Sequence, residues 1–420
     1  MNNLNWKLVA EVAGGMLFVA LVVWFFFFRS PGLEPAETVP QQTFGQGGVQ
    51  SDASVANGQD TNVAGTIPSP VSKQKIFKIS DGPVAGATFM QEGRPTTTIA
   101  RFVMQQNGHV LDLVIDSPGS VSRAASNTTI PGASQVIWGM QTVASRQIAA
   151  AAVLQYIDSR TIKSVALVFP SASTTASTTV RAPVRIQFLP DNIRSLATSP
   201  DGLSLVYLVA TASGSDGYIA RYDGTDPRKL FSLPLSQILI SWPSTQMILA
   251  TSKATMGVPG IAFSINATSG AVSPILYAMG LTTTANKAFT HVVYQSATEQ
   301  SRTTYAHDTA SNLDRPLSFA PTPHKCVWNT PQTSMMYCAV PLSYTAPNYI
   351  DLWHQGAASA ADSVVAYNLL TGQTTIIVTP GGADGGEAAD IMQMALSADE
   401  KYLLYVAKGS RSLWGVRLSN

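Results

Sequence analysis

Turn residues recur along this 420-residue chain at an almost constant interval, and that interval restricts the fold more than any other feature. Ser199, Ser244, Ala285 and Thr330 each sit in a turn ahead of a short apolar run, and their spacings are 45, 41 and 45 residues. The unit that begins at Ser199-Pro200-Asp201-Gly202 reads strand 205–210, turn, strand 217–222, turn at Asp223-Gly224. The same order returns at 247–250 and 260–265, at 289–294 and 302–307, at 335–340 and 363–367, and at 402–407 and 412–418. Richness in Ser, Thr, Val and Tyr agrees with strands, because β-branched and aromatic side chains suit a pleated, half-buried surface.

A period of 40 to 45 residues with several short strands per unit is that of a four-stranded propeller blade. Residues 84–126 and 134–189 form two less regular units at the start, which brings the count to seven. The step from Thr330 to Ser397 is 67 residues, and the excess marks an insertion at 341–362 inside one blade, since the strands on both sides are intact. The last unit, 391–418, has three strands, whereas 75–79 is a spare strand near the other end. Pairing the two would close the ring and remove its open seam. Two local signals are less direct. Asn107-Gly108 between apolar runs predicts a type I′ hairpin, and the Ala149 to Ala152 tract favours helix by propensity although its place in the repeat calls for strand over 146–156.

Ahead of the repeats, residues 12–28 are all apolar or glycine, and extension to Val9 across Glu11 gives the length of helix that crosses about 30 Å of hydrocarbon. Trp6 and Trp24 suit the interfaces and Lys7 and Arg29 flank the run. A cleaved signal peptide is the alternative, but its apolar region is shorter and ends in a small-residue site, whereas Phe25 to Phe28 lead straight into Arg29-Ser30-Pro31. Residues 30–72 contain no Lys or Arg but include Glu34, Glu37, Asp52 and Asp60, which favours translocation of the downstream domain. Their Pro, Gly, Gln and Ser content buries too little surface to fold. The expected organisation is an all-β, seven-bladed β-propeller (73–420) preceded by a flank (1–8), one transmembrane helix (9–29) and a flexible linker (30–72). The N-terminus would be cytoplasmic and the propeller extracytoplasmic.

Charged residues make up 12% of the chain and the net charge is +1, which excludes the basic surface that nucleic-acid binding requires. The two cysteines, Cys326 and Cys338, flank a turn signal near Pro331. Folded as a hairpin they face each other within disulfide range, and an oxidising compartment would form the bond. Two buried thiols are the alternative. A zinc site is disfavoured, because no neighbouring Cys or His pair completes it.

At Ser199-Pro200-Asp201-Gly202 and over 218–230 the chain resembles TolB-like and WD40-like propeller repeats, in which such a turn leads into the blade's inner hairpin. That resemblance implies a fold and no activity. The Gly-His and Trp-Asp signature of WD40 repeats is absent. A second resemblance spans most of the chain and rests on 78–86, 108–112, Lys325-Cys326-Val327-Trp328, Tyr337-Cys338-Ala339-Val340-Pro341 and Ser412-Leu413-Trp414. With the N-terminal anchor, these look like an uncharacterised family of membrane-anchored propellers from ultra-small bacteria with reduced genomes. The aromatic-rich insertion of that family is matched by residues 349–356, with departures at Ile350, where proline is expected, and at 357–361, where an aromatic is usual. No activity follows from it.

Chemistry is sparsely signalled. The five histidines form no His-x-x-x-His pair, and neither a nucleophile elbow nor a phosphate-binding loop is present. The run 380–387, with Asp384 and Glu387 and with Asp390 nearby, offers oxygen ligands for calcium, though its spacing is not that of an EF-hand and a glycine-rich connector between the last two blades is the favoured reading. Residues 171–179 read as a polar loop tip, and Asn127 and Asn266 head glycosylation triplets. The insertion carries the best binding residues, Tyr344, Tyr349, Asp351, Trp353 and His354, since aromatic anchors dominate interfaces; the alternative is that the rings pack back over the blade. The expected function is non-enzymatic: a membrane-tethered module that binds a protein or envelope partner, with no cofactor. Two alternatives stand beside it, a glycan-processing enzyme or carbohydrate-binding sensor with paired carboxylates at the ring's centre, and a subunit of a larger surface structure.

Overall fold

The computed structural model describes residues 74–420 apart from 118–119, 127, 171–182, 330–333, 345–347 and 419–420. The apolar run, the linker, the loop tip 171–179 and Asn127 lie outside the described residues. No helix among the described residues is long and apolar enough to cross a membrane.

Among the described residues twenty-eight strands, β1 to β28 in chain order, form seven four-stranded antiparallel sheets. Blade 1 comprises β2 (Val84–Glu92), β3 (Thr97–Met104), β4 (Val110–Val114) and β5 (Arg123–Ser126), with β2 innermost in the order β2-β3-β4-β5. Blades 2 to 6 repeat the pattern over 135–188, 193–233, 238–279, 282–316 and 326–378. Blade 7 takes β26 (Ile391–Leu396), β27 (Tyr402–Ala407) and β28 (Leu413–Arg417) from the end of the chain and β1 (Ile76–Ser80) from near its start. The chain therefore folds as the seven-bladed propeller that the repeat predicts.

Closure is specific in register. Ile76 faces Val416, Phe77 faces Gly415 and Lys78 faces Trp414. Gly415 is required there, because a Cβ would stand 2.4 Å from the Phe77 ring.

Each seam between neighbouring blades holds its own apolar cluster, so the core is a circle of layers. Phe231 and Leu233 of blade 3 pack on Ile238, Ile240 and Trp242 of blade 4, and Ala339, Val364 and Val378 of blade 6 pack on Ile391, Leu403 and Tyr405 of blade 7. Strands buried on both faces need continuous apolar runs, and β27, YLLYVA, is buried throughout. The same demand settles the alanine tract. It lies in the middle of β7 (Arg146–Asp158), in a sheet packed on blade 1 on one face and on blade 3 on the other, and this tertiary burial outweighs a propensity difference of about 0.5 kcal/mol per residue.

The Asn107-Gly108 expectation is corrected. Gly108 alone takes a left-handed backbone (φ 72°) while Asn107 does not, so the turn is not type I′. The loop is longer: Gly108 N donates to Met104 O, and His109 N donates to Asn107 Oδ1.

Antiparallel alternation fixes which loops share a face. In every blade the loop from second to third strand leaves the same face as the connection from the outermost strand to the next blade. In blade 6, β22 (Cys326–Trp328), β23 (Met335–Pro341) and β24 (Asp362–Asn368) are consecutive from the centre outwards. The segment 342–361 joins β23 to β24, so it emerges beside the connections 317–325 and 379–390 and the loops 253–258, 298–301 and 408–412.

Candidate functional site

The insertion is built around one short helix, α1 (Tyr349–His354). Tyr349, Ile350 and Trp353 fall on one side of it, and this side turns towards the propeller to form a small apolar cluster with Ala297 and Ala360. The helix ends at Gly356, whose left-handed backbone (φ 78°) favours glycine at that position. Both ends of the insertion meet at one point, since Pro341 and Asp362 face each other across β23 and β24.

Polar contacts tie the insertion to four blades. Asp351 accepts from Met256 N of blade 4 at 3.0 Å. Tyr344 donates to Ala320 O, on the connection from blade 5 to blade 6, at 3.0 Å, and the Arg302 guanidinium of blade 5 lies 3.5 Å from the centre of the Tyr344 ring. Trp353 Nε1 donates to Asp390 at 2.8 Å, and Ser359 donates to the same carboxylate at 2.9 Å. From blade 7, Lys408 donates to the carbonyls of Trp353 and Ala358.

Below α1 lies a buried ion cluster. Lys325 Nζ donates to Asp362 Oδ2 and to Asp390 Oδ1, both at 2.7 Å, and none of the three side chains is more than 1% exposed. The ammonium groups of Lys325 and Lys408 stand 5.1 and 4.3 Å from the Trp353 ring centre. Burial pushes the Asp362 carboxyl up to about 6, with Asp390 adding to the shift and Lys325 opposing it. Burial also holds His324 well below the usual imidazole range, aided by His354, Lys325 and Lys408. His354 is lowered by burial of its ring and by Lys253, against the pull of Asp351. Tyr349 is raised by burial and then by Asp390 and Asp362.

The five residues singled out from sequence thus fall close together but not on one surface. Tyr349 is buried; Tyr344, Asp351 and Trp353 are half-buried and engaged in the contacts above; the His354 residue is partly exposed while one face of its ring is covered by His324, tilted against it with ring centres 4.8 Å apart. Sequence reasoning missed Lys325, Asp362, Lys408 and Arg302. Their only signal was position, because each stands at or near the end of a strand on the insertion's face.

Cys326 and Cys338 face each other across β22 and β23 and form a disulfide. The bond pins the hairpin from which Lys325 and the insertion both emerge. The three suggested calcium ligands do not converge: Asp384 accepts from Thr379 N, Glu387 lies 4.0 Å from Lys78, and Asp390 is taken by Lys325, Trp353 and Ser359. Among the described residues no group of three His, Cys, Asp or Glu side chains could hold a metal ion. The seven innermost strands carry one carboxylate among the described residues, Glu92, which pairs with Arg123.

No protein-family model matches the chain, and no curated protein matches it. Solved structures do share its fold. An oligogalacturonate lyase in complex with manganese aligns over 83% of this chain and 99% of its own, with a TM-score of 0.50 and 10% identity. The WD40 domain of Pan2 from Neurospora crassa aligns over 84% and 100%, with a TM-score of 0.47 and 8% identity. TolB from Acinetobacter baumannii aligns over 81% and 78%, with a TM-score of 0.38 and 10% identity. Likeness at such identity concerns the fold alone.

Proposed function

We propose that this chain is a non-enzymatic, membrane-tethered, extracytoplasmic propeller that serves as a protein-interaction or envelope-scaffold module, and that the insertion is its partner-binding platform. The observation that carries this reading is the tying of one short insertion to blades 4, 5, 6 and 7 at once. Such fixing pre-organises a surface, and pre-organisation lowers the ordering cost of binding. Leu342, 60% exposed, and His354 are the outward groups on that platform.

The address rests on the apolar run 9–29 and the acidic linker. The Cys326–Cys338 disulfide agrees with an oxidising compartment outside the cytoplasm. In this reading the protein stands with the uncharacterised membrane-anchored propellers of ultra-small bacteria, and service as a subunit of a larger surface structure differs from scaffolding only in stoichiometry. The glycan-processing alternative is less favoured, because Asp362 and Asp390, the acids nearest the platform, are bridged by Lys325 and closed to solvent.

The test is capture by the full-length chain in its membrane, followed by crosslinking, against a Leu342→Asp/His354→Asp variant. Envelope components should be recovered with the wild type and lost with the variant at an unchanged unfolding midpoint. Equal recovery by both chains would remove the insertion from the account.

A further inference from the structure

The segment 348–361 covers hydrogen-bonding groups that the closed structure leaves unmet. Tyr349 OH, Asp362 Oδ1, Arg302 Nη1 and His324 Nε2 are buried without a hydrogen-bond partner. They are neighbours. Arg302 stacks on Tyr344, Tyr344 packs edge-on against Tyr349 with ring centres 5.3 Å apart, and the charges of Asp362, Asp390 and Arg302 all act on the Tyr349 hydroxyl. The His324 ring is 4.9 Å from that of Trp353, whose indole donates to Asp390. Tyr349 and Asp362 are 1% and 0% exposed, so neither group is served by bulk water while the segment is down.

A buried group stripped of water and given no partner is destabilising, and three of them beneath one segment, with the Tyr349 hydroxyl on the segment's own inner side, favour its lifting. The segment makes no strand pairing of its own: it runs into β24 at Asp362, and what holds it closed is a short set of polar contacts around a small apolar cluster. We propose that 348–361 is a lid, and that the groups beneath it bind a neutral, hydroxyl-rich ring, the sugar unit of an uncharged oligosaccharide.

The donor and acceptor set fits that class. Arg302 Nη1 donates, Asp362 Oδ1 accepts, and the Tyr349 hydroxyl does both, which is the mixed demand a ring of hydroxyls meets. Tyr344, Tyr349 and Trp353 add aromatic faces for its C–H surface. Charge selects against an ionic ligand, because Arg302, Lys325 and Lys408 are matched by Asp351, Asp362 and Asp390. The partner surface is distinguished from this site at Leu342, which is exposed and lies outside 348–361.

Titration calorimetry on the full chain, with maltotriose and triacetylchitotriose as neutral probes and trigalacturonate as the charged one, tests it together with hydrogen exchange of 348–361. A neutral probe should bind, and Tyr349→Phe should weaken it about tenfold, the worth of one hydrogen bond. The same variant should slow exchange of the lid, because it deletes an unmet hydroxyl from the closed state. A hydroxyl with a purely structural role would make exchange faster. Leu342→Asp alone, outside the lid, should leave the sugar affinity unchanged while weakening partner capture, so the partner reading and this one fail separately. Absence of binding by both neutral probes up to about 10 mM, tighter binding of trigalacturonate, or unchanged affinity in Tyr349→Phe would each overturn the proposal.

Discussion

Two clusters of buried charge, one in blade 1 and one in blade 6, solve the same problem in different ways. In blade 1, Arg101 and Asp112 face each other on β3 and β4. Nε and Nη2 of Arg101 donate to the two carboxylate oxygens at 2.7 and 2.9 Å, Nη1 donates to Ala149 O of blade 2, and Phe169 covers the guanidinium at 4.6 Å. Neither side chain has a buried polar atom without a partner, and strand register holds the pair. In blade 6 the ammonium of Lys325 joins two carboxylates that arrive on different connections, Asp362 keeps one oxygen without a partner, and its carboxyl is pushed up to about 6. Buried charge by itself therefore marks no site in this molecule. Unmet hydrogen bonds beneath a loop-borne cover distinguish the second cluster from the first.

The largest effect should come from removing the cation of blade 6. Lys325→Met leaves two desolvated carboxylates facing each other, and breaking a buried pair costs about 3 to 5 kcal/mol, so a loss near the upper end is expected in chemical denaturation. Arg101→Met leaves Asp112 facing the more distant Arg123 Nε at 3.9 Å and should cost somewhat less, about 4 kcal/mol. The comparison sharpens with the double variant Arg101→Met/Asp112→Leu, which should recover most of that loss because an apolar pair of similar volume replaces a buried ion pair at little net cost. Were the double variant as unstable as the single one, the blade 1 pair would have a role beyond packing.

A pH series separates the clusters further. The Asp362 carboxyl is raised from 3.8 unfolded to about 6 folded, so between those values the native state holds more protons than the unfolded one. This group's contribution then falls as pH rises from about 4 to about 6, by at most about 3 kcal/mol, and it is opposed by His324 and His354, whose lowered folded values make their contribution rise with pH towards 6.5. Asp362→Asn should remove this slope, whereas Asp112→Asn should leave it in place. Asp308 and Asp399, lowered by hydrogen bonds in their turns, act with the opposite sign and only below about pH 4. Equal slopes from pH 4 to 6 in the wild type and in Asp362→Asn, measured at constant ionic strength, would contradict the assignment.

The fold was far more legible than the site. Ser199, Ser244, Ala285 and Ser397 announced the turns between innermost and second strands because turn chemistry is local, and the 67-residue step exposed the insertion because a ring tolerates extra length only in its loops. Cys326 and Cys338 could be paired because hairpin register is also local. Asn107-Gly108 misled for the converse reason: Ile130 packs against Gly108 from the following connection, with its carbonyl 2.6 Å from where a Cβ would stand, and such a tertiary neighbour leaves no trace in a dipeptide. The site fails the same way on a larger scale. Lys325, Asp362, Asp390 and Lys408 are scattered over 84 positions of sequence, and only the shared face of alternating blades brings them together. Trp353 has the residue type of a partner anchor, but its indole is satisfied from within.

That indole provides the smallest and most discriminating contrast. Trp353 lies near two ammonium groups and also donates Nε1 to Asp390, while Phe169 offers Arg101 a ring face and nothing else. Trp353→Phe keeps a ring but deletes a hydrogen bond to a charged acceptor, which should cost about 2 kcal/mol. Phe169→Leu keeps apolar volume but deletes the ring face, which should cost about 1 kcal/mol. The two should also differ in where the loss appears. Blade 1 is held by strand register, so Phe169→Leu should lower global stability without local opening, whereas Trp353→Phe should raise amide exchange of 348–361 beyond the change in global unfolding. Equal and purely global losses in both variants would mean that the segment over blade 6 is as firmly fixed as a strand, and the distinction between the two charge clusters would reduce to geometry without mobility.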